Sequence, residues 1–183
     1  MKVAYAWGMR RNEVRNLDLV DFATNPAAPK FKQFGIAYVG YGKAHNGGPV
    51  KRRSVVTLPQ FDRVVGVLDG WLNDVRPFLA PPVMTSLWPS ERNGVVTLDT
   101  MSSQFAVVRR TAALDQGLDF HSLCRAYVTH LIEEGYDAYF IQQQVGHEHS
   151  STMSIYTGVS PDYRNEVVHS ALKKYGSRDR HRN

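Results

Sequence analysis

Two runs rich in aromatic and β-branched residues, Phe34 to Tyr41 and Arg53 to Leu58, flank a cationic stretch that contains Asn46-Gly47. Such residues fit a pleated, half-buried surface, and Asn-Gly turns a hairpin tightly. The pair predicts an antiparallel hairpin with a long cationic tip from Gly42 to Arg52. The remaining regular segments follow helical spacing. The expected fold class is therefore α+β, mainly helical, with one small antiparallel sheet.

Arg10, Glu13, Val14 and Leu17 follow Gly8 at helical spacing and open the first expected element. Asp18 to Pro29 carries Asn25-Pro26 and reads as loop. Phe61, Val64, Val65, Leu68, Leu72 and Val75 predict a helix that stops at Pro77. Thr100 is the expected cap of a helix carrying Phe105, Val108 and Ala112, and Ser122 the expected cap of one carrying Leu123, Tyr127, Val128, Leu131 and Ile132. Gly135 ends that helix, Asp137 to Val145 forms a shorter one, and Ser160-Pro161 starts the last, which stops at Gly176. Trp7, Trp71 and Trp88 are expected in the core.

At 183 residues, one domain with one core is the expectation. Residues 1–176 are expected to form that domain, and 177–183 a frayed basic tail. The net charge of +5 favours polyanionic partners. A single cysteine excludes an internal disulfide and fits a reducing cytoplasm, the expected location. The sequence has no apolar run near 18 residues, so no membrane span is expected. The segment before Gly8 is too short and aromatic for a signal peptide.

Chemistry is suggested by Val145-Gly146-His147, with Tyr156 nine residues after the histidine and His121 upstream. A phenol can hold a phosphoryl group covalently, and the cations such a reaction needs are available in Arg10 and Lys43. Each of these residues also has a plainer reading. Arg10 is a surface cation paired with Glu13, Lys43 an exposed hairpin lysine with Lys51 as its rival, and His121 a capping or packing histidine. His147 and His149 stand two apart without a completing cluster, so neither a metal nor any other cofactor is expected.

Taken together the segments resemble the catalytic domain of the tyrosine recombinases, the phage-integrase family. Gly8-Met9-Arg10-Arg11-Asn12-Glu13-Val14 is similar to its first arginine box, Gly42-Lys43 to its hairpin lysine, His121-Ser122-Leu123-Cys124-Arg125 to its His-x-Leu-Arg-His box, and Val145-Gly146-His147 to Leu-Gly-His. Tyr156 falls where the family's nucleophile falls. The resemblance implies strand cleavage through a 3′-phosphotyrosine, with integration or excision of a mobile element as the outcome. Arg10 and His147 would stabilise the phosphate oxygens, Lys43 would protonate the leaving 5′-oxygen, and His121 would help move the tyrosine proton. Double-stranded DNA is the implied partner. Lys51, Arg52, Arg53, Arg11 and Arg125 are expected to contact it, with Lys51-Arg52-Arg53 as a phosphate patch. The apolar face from Pro161 to Tyr175 implies a tetramer on DNA, with a monomer expected in solution.

Two departures stand out. Cys124 holds the position of the family's second arginine, and Arg125, rotated about 100° along the helix, starts on the wrong side. Only nine residues precede Arg10, which leads to the expectation of an N-terminally truncated domain without its core-binding partner and of weak, salt-sensitive DNA binding. Impaired cleavage is the leading expectation. The alternatives are a DNA-binding remnant that no longer cleaves, a type IB topoisomerase, and Cys124 acting as a reactive thiolate.

Overall fold

A computed structural model describes residues 1–40, 53–91 and 94–146. Lys43, Lys51, Arg52, His147, Tyr156 and the expected last helix and tail lie outside these residues.

The sheet has three strands in the order β1-β2-β3: β1 (Phe22–Ala23), β2 (Ile36–Val39) and β3 (Arg53–Val56). Both pairings are antiparallel, and the β2–β3 register sets Ala37 opposite Val55 and Val39 opposite Arg53. Alternation along the strands turns Ala37, Val39 and Val55 inward, all essentially buried, and Tyr38 and Ser54 outward. The expected hairpin strands are therefore present. The third strand occupies part of the segment read as loop, because two residues are too few to display a period.

Helices cover the sheet and form the remaining core. The first box does not open the first element: α1 (Lys2–Ala6) precedes it and buries Val3, Ala4 and Ala6. The chain then turns at Gly8, with φ of +57°, into α2 (Arg11–Arg15). A β-carbon on Gly8 would stand 2.4 Å from the Tyr127 ring and 3.0 Å from Val145 Cγ1, so glycine is required for both conformation and space. Trp7 is fully buried, and its indole N–H donates to Thr57 Oγ1 at 2.8 Å, anchoring α1 to the end of β3. Trp71 and Trp88 pack against the core at 5.6 Å between ring centroids.

The expected helix ending at Pro77 is shorter than its pattern. Phe61 belongs to a preceding 3-10 turn, α3 is Arg63–Gly70, and a π-helical turn (Trp71–Val75) follows. A 3-10 turn at Arg76–Phe78 completes the exit, with buried Arg76 donating to the Ser86 carbonyl at 2.9 Å.

Two expected caps shift. α4 (Leu98–Thr111) is capped by Thr97, whose hydroxyl accepts from the Thr100 backbone N–H, so Thr100 is the capped residue. α5 (Phe120–Glu133) is capped by Asp119. Ser122 is the third residue of that box: its N–H donates to Asp119 Oδ1 at 2.8 Å, and its Oγ accepts from Asp119 N at 3.1 Å. In both cases a second hydrogen-bonding side chain stands three residues away, and only the backbone conformation decides which is the cap. α6 (Ala138–Val145) is capped by Asp137 and ends on Gly146, with φ of +65°. No helix among the described residues is long and apolar enough to cross a membrane.

Candidate active site

Arg10 stands immediately before α2 in extended conformation, so its side chain leaves the chain at a helix N-terminus. A cation there opposes the helix dipole, and Glu13 offsets it from the third helical position. Glu13 Oε2 accepts from the Arg10 backbone N–H at 2.8 Å, while Oε1 accepts from Arg10 Nη1 at 2.9 Å. The Arg10 side chain remains 39% exposed while Glu13 is 2% exposed. The carboxylate is therefore the buried anchor and the guanidinium the part that faces out.

Glu13 carries a second arginine. Arg53 Nη1 donates to Oε1 at 2.7 Å and Nη2 to Oε2 at 2.9 Å, a two-pronged pair, and Arg53 Nε donates to the Gln144 carbonyl at 2.9 Å. Burial alone would push the Glu13 carboxyl up. The hydrogen bond and charge of Arg53, followed by those of Arg10, bring it below the usual carboxylate range. Arg53 was expected in an outward phosphate patch with Lys51 and Arg52. Its side chain is instead 15% exposed and turned onto Glu13. Strand parity was the available signal, since Arg53 shares a face with buried Val55.

Gln144, missed in the sequence reading, ties the same region together. Its side-chain oxygen accepts from Val56 N at 3.1 Å and lies 3.4 Å from the Tyr127 hydroxyl, joining α6, β3 and α5.

The box on α5 divides by helix face. Cys124 is 2% exposed, and its thiol donates to the Gly8 carbonyl at 3.0 Å, two residues before Arg10. Burial pushes the thiol up to about 11, so it stays protonated near neutral pH and the thiolate reading is corrected. His121 and Arg125 lie on the exposed side of the first turns. Arg125 Nη2 donates to Ser122 Oγ at 2.9 Å and lies 3.7 Å from Asp119 Oδ1. It is engaged at the start of α5 and does not reach back toward Cys124. Arg11 donates to Ser102 Oγ, bridging α2 to α4.

The structure thus gathers Arg10, Glu13, Arg53, Cys124 and Gly146 where α2, β3, α5 and α6 meet. Residues 1–162 match the family model described as the phage integrase family. The chain belongs to that family. Among its curated relatives is the tyrosine recombinase XerD of Pseudomonas putida, 29% identical over 162 residues that cover 87% of this chain and 48% of the relative. The chain spans about half the length of the relatives it matches. Among solved structures, XerA recombinase superposes with a TM-score of 0.71 at 24% identity, covering 92% of this chain and 55% of that one. XerH recombinase bound to its difH substrate gives 0.65 at 22% identity, covering 91% and 44%. These two likenesses establish the integrase catalytic-domain fold expected from the boxes.

Proposed function

We propose that residues 1–176 are the catalytic domain of a site-specific DNA recombinase that cuts and rejoins strands through Tyr156. The observation that carries this reading is the meeting of three family boxes in space. Gly8 to Val14 carries Glu13, Cys124 meets the Gly8 carbonyl, and the Gly146 turn packs on Arg53, which pairs with Glu13. Curated relatives are named tyrosine recombinases, and one solved relative, XerH, is bound to its difH substrate in a pre-cleavage complex.

In this reading the Tyr156 phenolic oxygen bonds to the scissile phosphorus as the P–O5′ bond breaks. The tyrosine proton passes to His121, and Lys43 supplies a proton to the departing 5′-oxygen. Arg10 and His147 face the non-bridging oxygens, where negative charge increases. The 3′-phosphotyrosine keeps the bond energy, so a 5′-hydroxyl reverses the step without a nucleotide cofactor. Double-stranded DNA assembles the tetramer through the segment from Pro161 to Tyr175.

A second reading, DNA binding without cleavage, is favoured by one observation: Cys124, which we take to stand at the family's second arginine position, is buried, while Arg125 is engaged elsewhere. Incubation with a nicked suicide duplex separates the two. A protein–DNA adduct that disappears in Tyr156→Phe supports recombinase chemistry, and no adduct supports binding alone. Relaxation of supercoiled plasmid by the chain as a monomer would identify a type IB topoisomerase instead.

A further inference from the structure

Arg53 and Arg10 divide one carboxylate unequally. Arg53 takes both Glu13 oxygens with two guanidinium nitrogens and spends its third on the Gln144 carbonyl, whereas Arg10 spends one nitrogen on Oε1. Arg53 is the more buried of the two, 15% against 39% exposed. Its guanidinium also fills the space left by the missing β-carbon of Gly146, which would stand 2.8 Å from Arg53 Cδ and 3.0 Å from Nη1. Among the described residues Arg53 is thus committed to Glu13 and Gln144 with all three nitrogens, and Arg10 is the guanidinium that faces out.

Two guanidinium groups on one carboxylate leave one positive charge in excess. Without Arg53, buried Glu13 would have Arg10 as its counter-ion and would neutralise it, since a buried carboxylate needs a paired cation. We propose that Arg53 is a positioning residue that occupies the Glu13 carboxylate, so that Arg10 keeps its full charge for a phosphate group. The inference deepens the recombinase reading and rests on it for the identity of that phosphate as a DNA phosphodiester. The Gly146 turn and β3 would take their relative placement from the same side chain.

The test uses the full chain with inorganic phosphate as probe, followed through the Arg10 Nε–H signal by NMR, and thermal melting alongside. In Arg53→Met, phosphate affinity at Arg10 should fall about tenfold, the size expected for removing one unit charge at roughly 10 Å in an effective dielectric near 20. Adding Glu13→Gln to Arg53→Met should restore the affinity to within about threefold of wild type while the melting temperature stays low. A purely structural Arg53 would leave the double variant as weak as the single one, and that result overturns the proposal. Unchanged phosphate binding in Arg53→Met also overturns it, as does a wild-type Arg10 signal that never responds to phosphate. If Arg53→Met does not fold, Glu13→Gln alone decides: tighter phosphate binding supports the charge balance and weaker binding refutes it. DNA adduct formation is scored separately. Its absence in every variant, with the phosphate pattern intact, would remove the recombinase reading and leave the charge balance standing.

Discussion

The thiol of Cys124 donates to the carbonyl of Gly8 at 3.0 Å, tying α5 to the turn that presents Arg10. This contact places position 124 beside the first box and leaves it without a cation. It also fixes what replacement there would do.

Cys124→Arg should raise formation of the Tyr156–DNA adduct. A cation at a transferring phosphate contributes about 10³–10⁵-fold in related chemistry. The larger side chain must leave a site now 2% exposed, so stability should fall by about 1–3 kcal/mol. Adduct yield on a suicide duplex together with a denaturant melt checks both. A folded variant with no gain would place position 124 away from the reacting phosphate.

Alkylation of Cys124 by iodoacetamide at pH 8 should be slow in the native state. Moving the thiol from 9.0 to about 11 lowers its thiolate fraction about a hundredfold before burial is counted. Labelling followed by mass spectrometry, native against urea-unfolded, measures the ratio. Equal rates would contradict the buried placement.

Glu13 should make stability depend on acid pH. Its folded-state value lies below the ordinary 4.5, so its contribution is fully present above about pH 4.5 and is lost as pH falls through the lower folded value. Glu13→Gln should lower the melting temperature most near neutrality, and the gap to wild type should close toward pH 3. A constant gap across that range would count against an ionised Glu13.

Gly8→Ala should destabilise more than Gly135→Ala, although both positions have positive φ. Left-handed backbone costs about 1–2 kcal/mol at either site. The Gly8 methyl also meets the Tyr127 ring at 2.4 Å, while nothing lies within 4 Å at Gly135. Overpacking should add about 1–3 kcal/mol at Gly8 alone. Chemical denaturation of the two variants compares them directly.

Asp119→Ala should cost about 1 kcal/mol, the usual value of a helix cap, and Ser122→Ala less. The reverse order would restore Ser122 as the cap.

Much of the fold was legible because periodicity is local. The strands around β2 and β3, the stripe of Tyr127, Leu131 and Ile132 on α5, and the stop at Gly135 follow from residue spacing alone. Errors arose where local signals were ambiguous or short: Thr97 against Thr100, Asp119 against Ser122, and the two-residue strand Phe22–Ala23. At the candidate site, the pairing of Arg10 with Glu13 was available from their separation of three residues. Arg53 was read with its basic neighbours instead of by the face of its strand.

By itself the sequence determined the mainly helical α+β class and the order of the segments that resemble the family's boxes, because these depend on residue type and spacing. Tertiary structure decided which arginine is buried and which is presented. Glu13, Arg53 and Gln144 come from three separated segments, and a carboxylate taken out of water selects its partners by three-dimensional proximity.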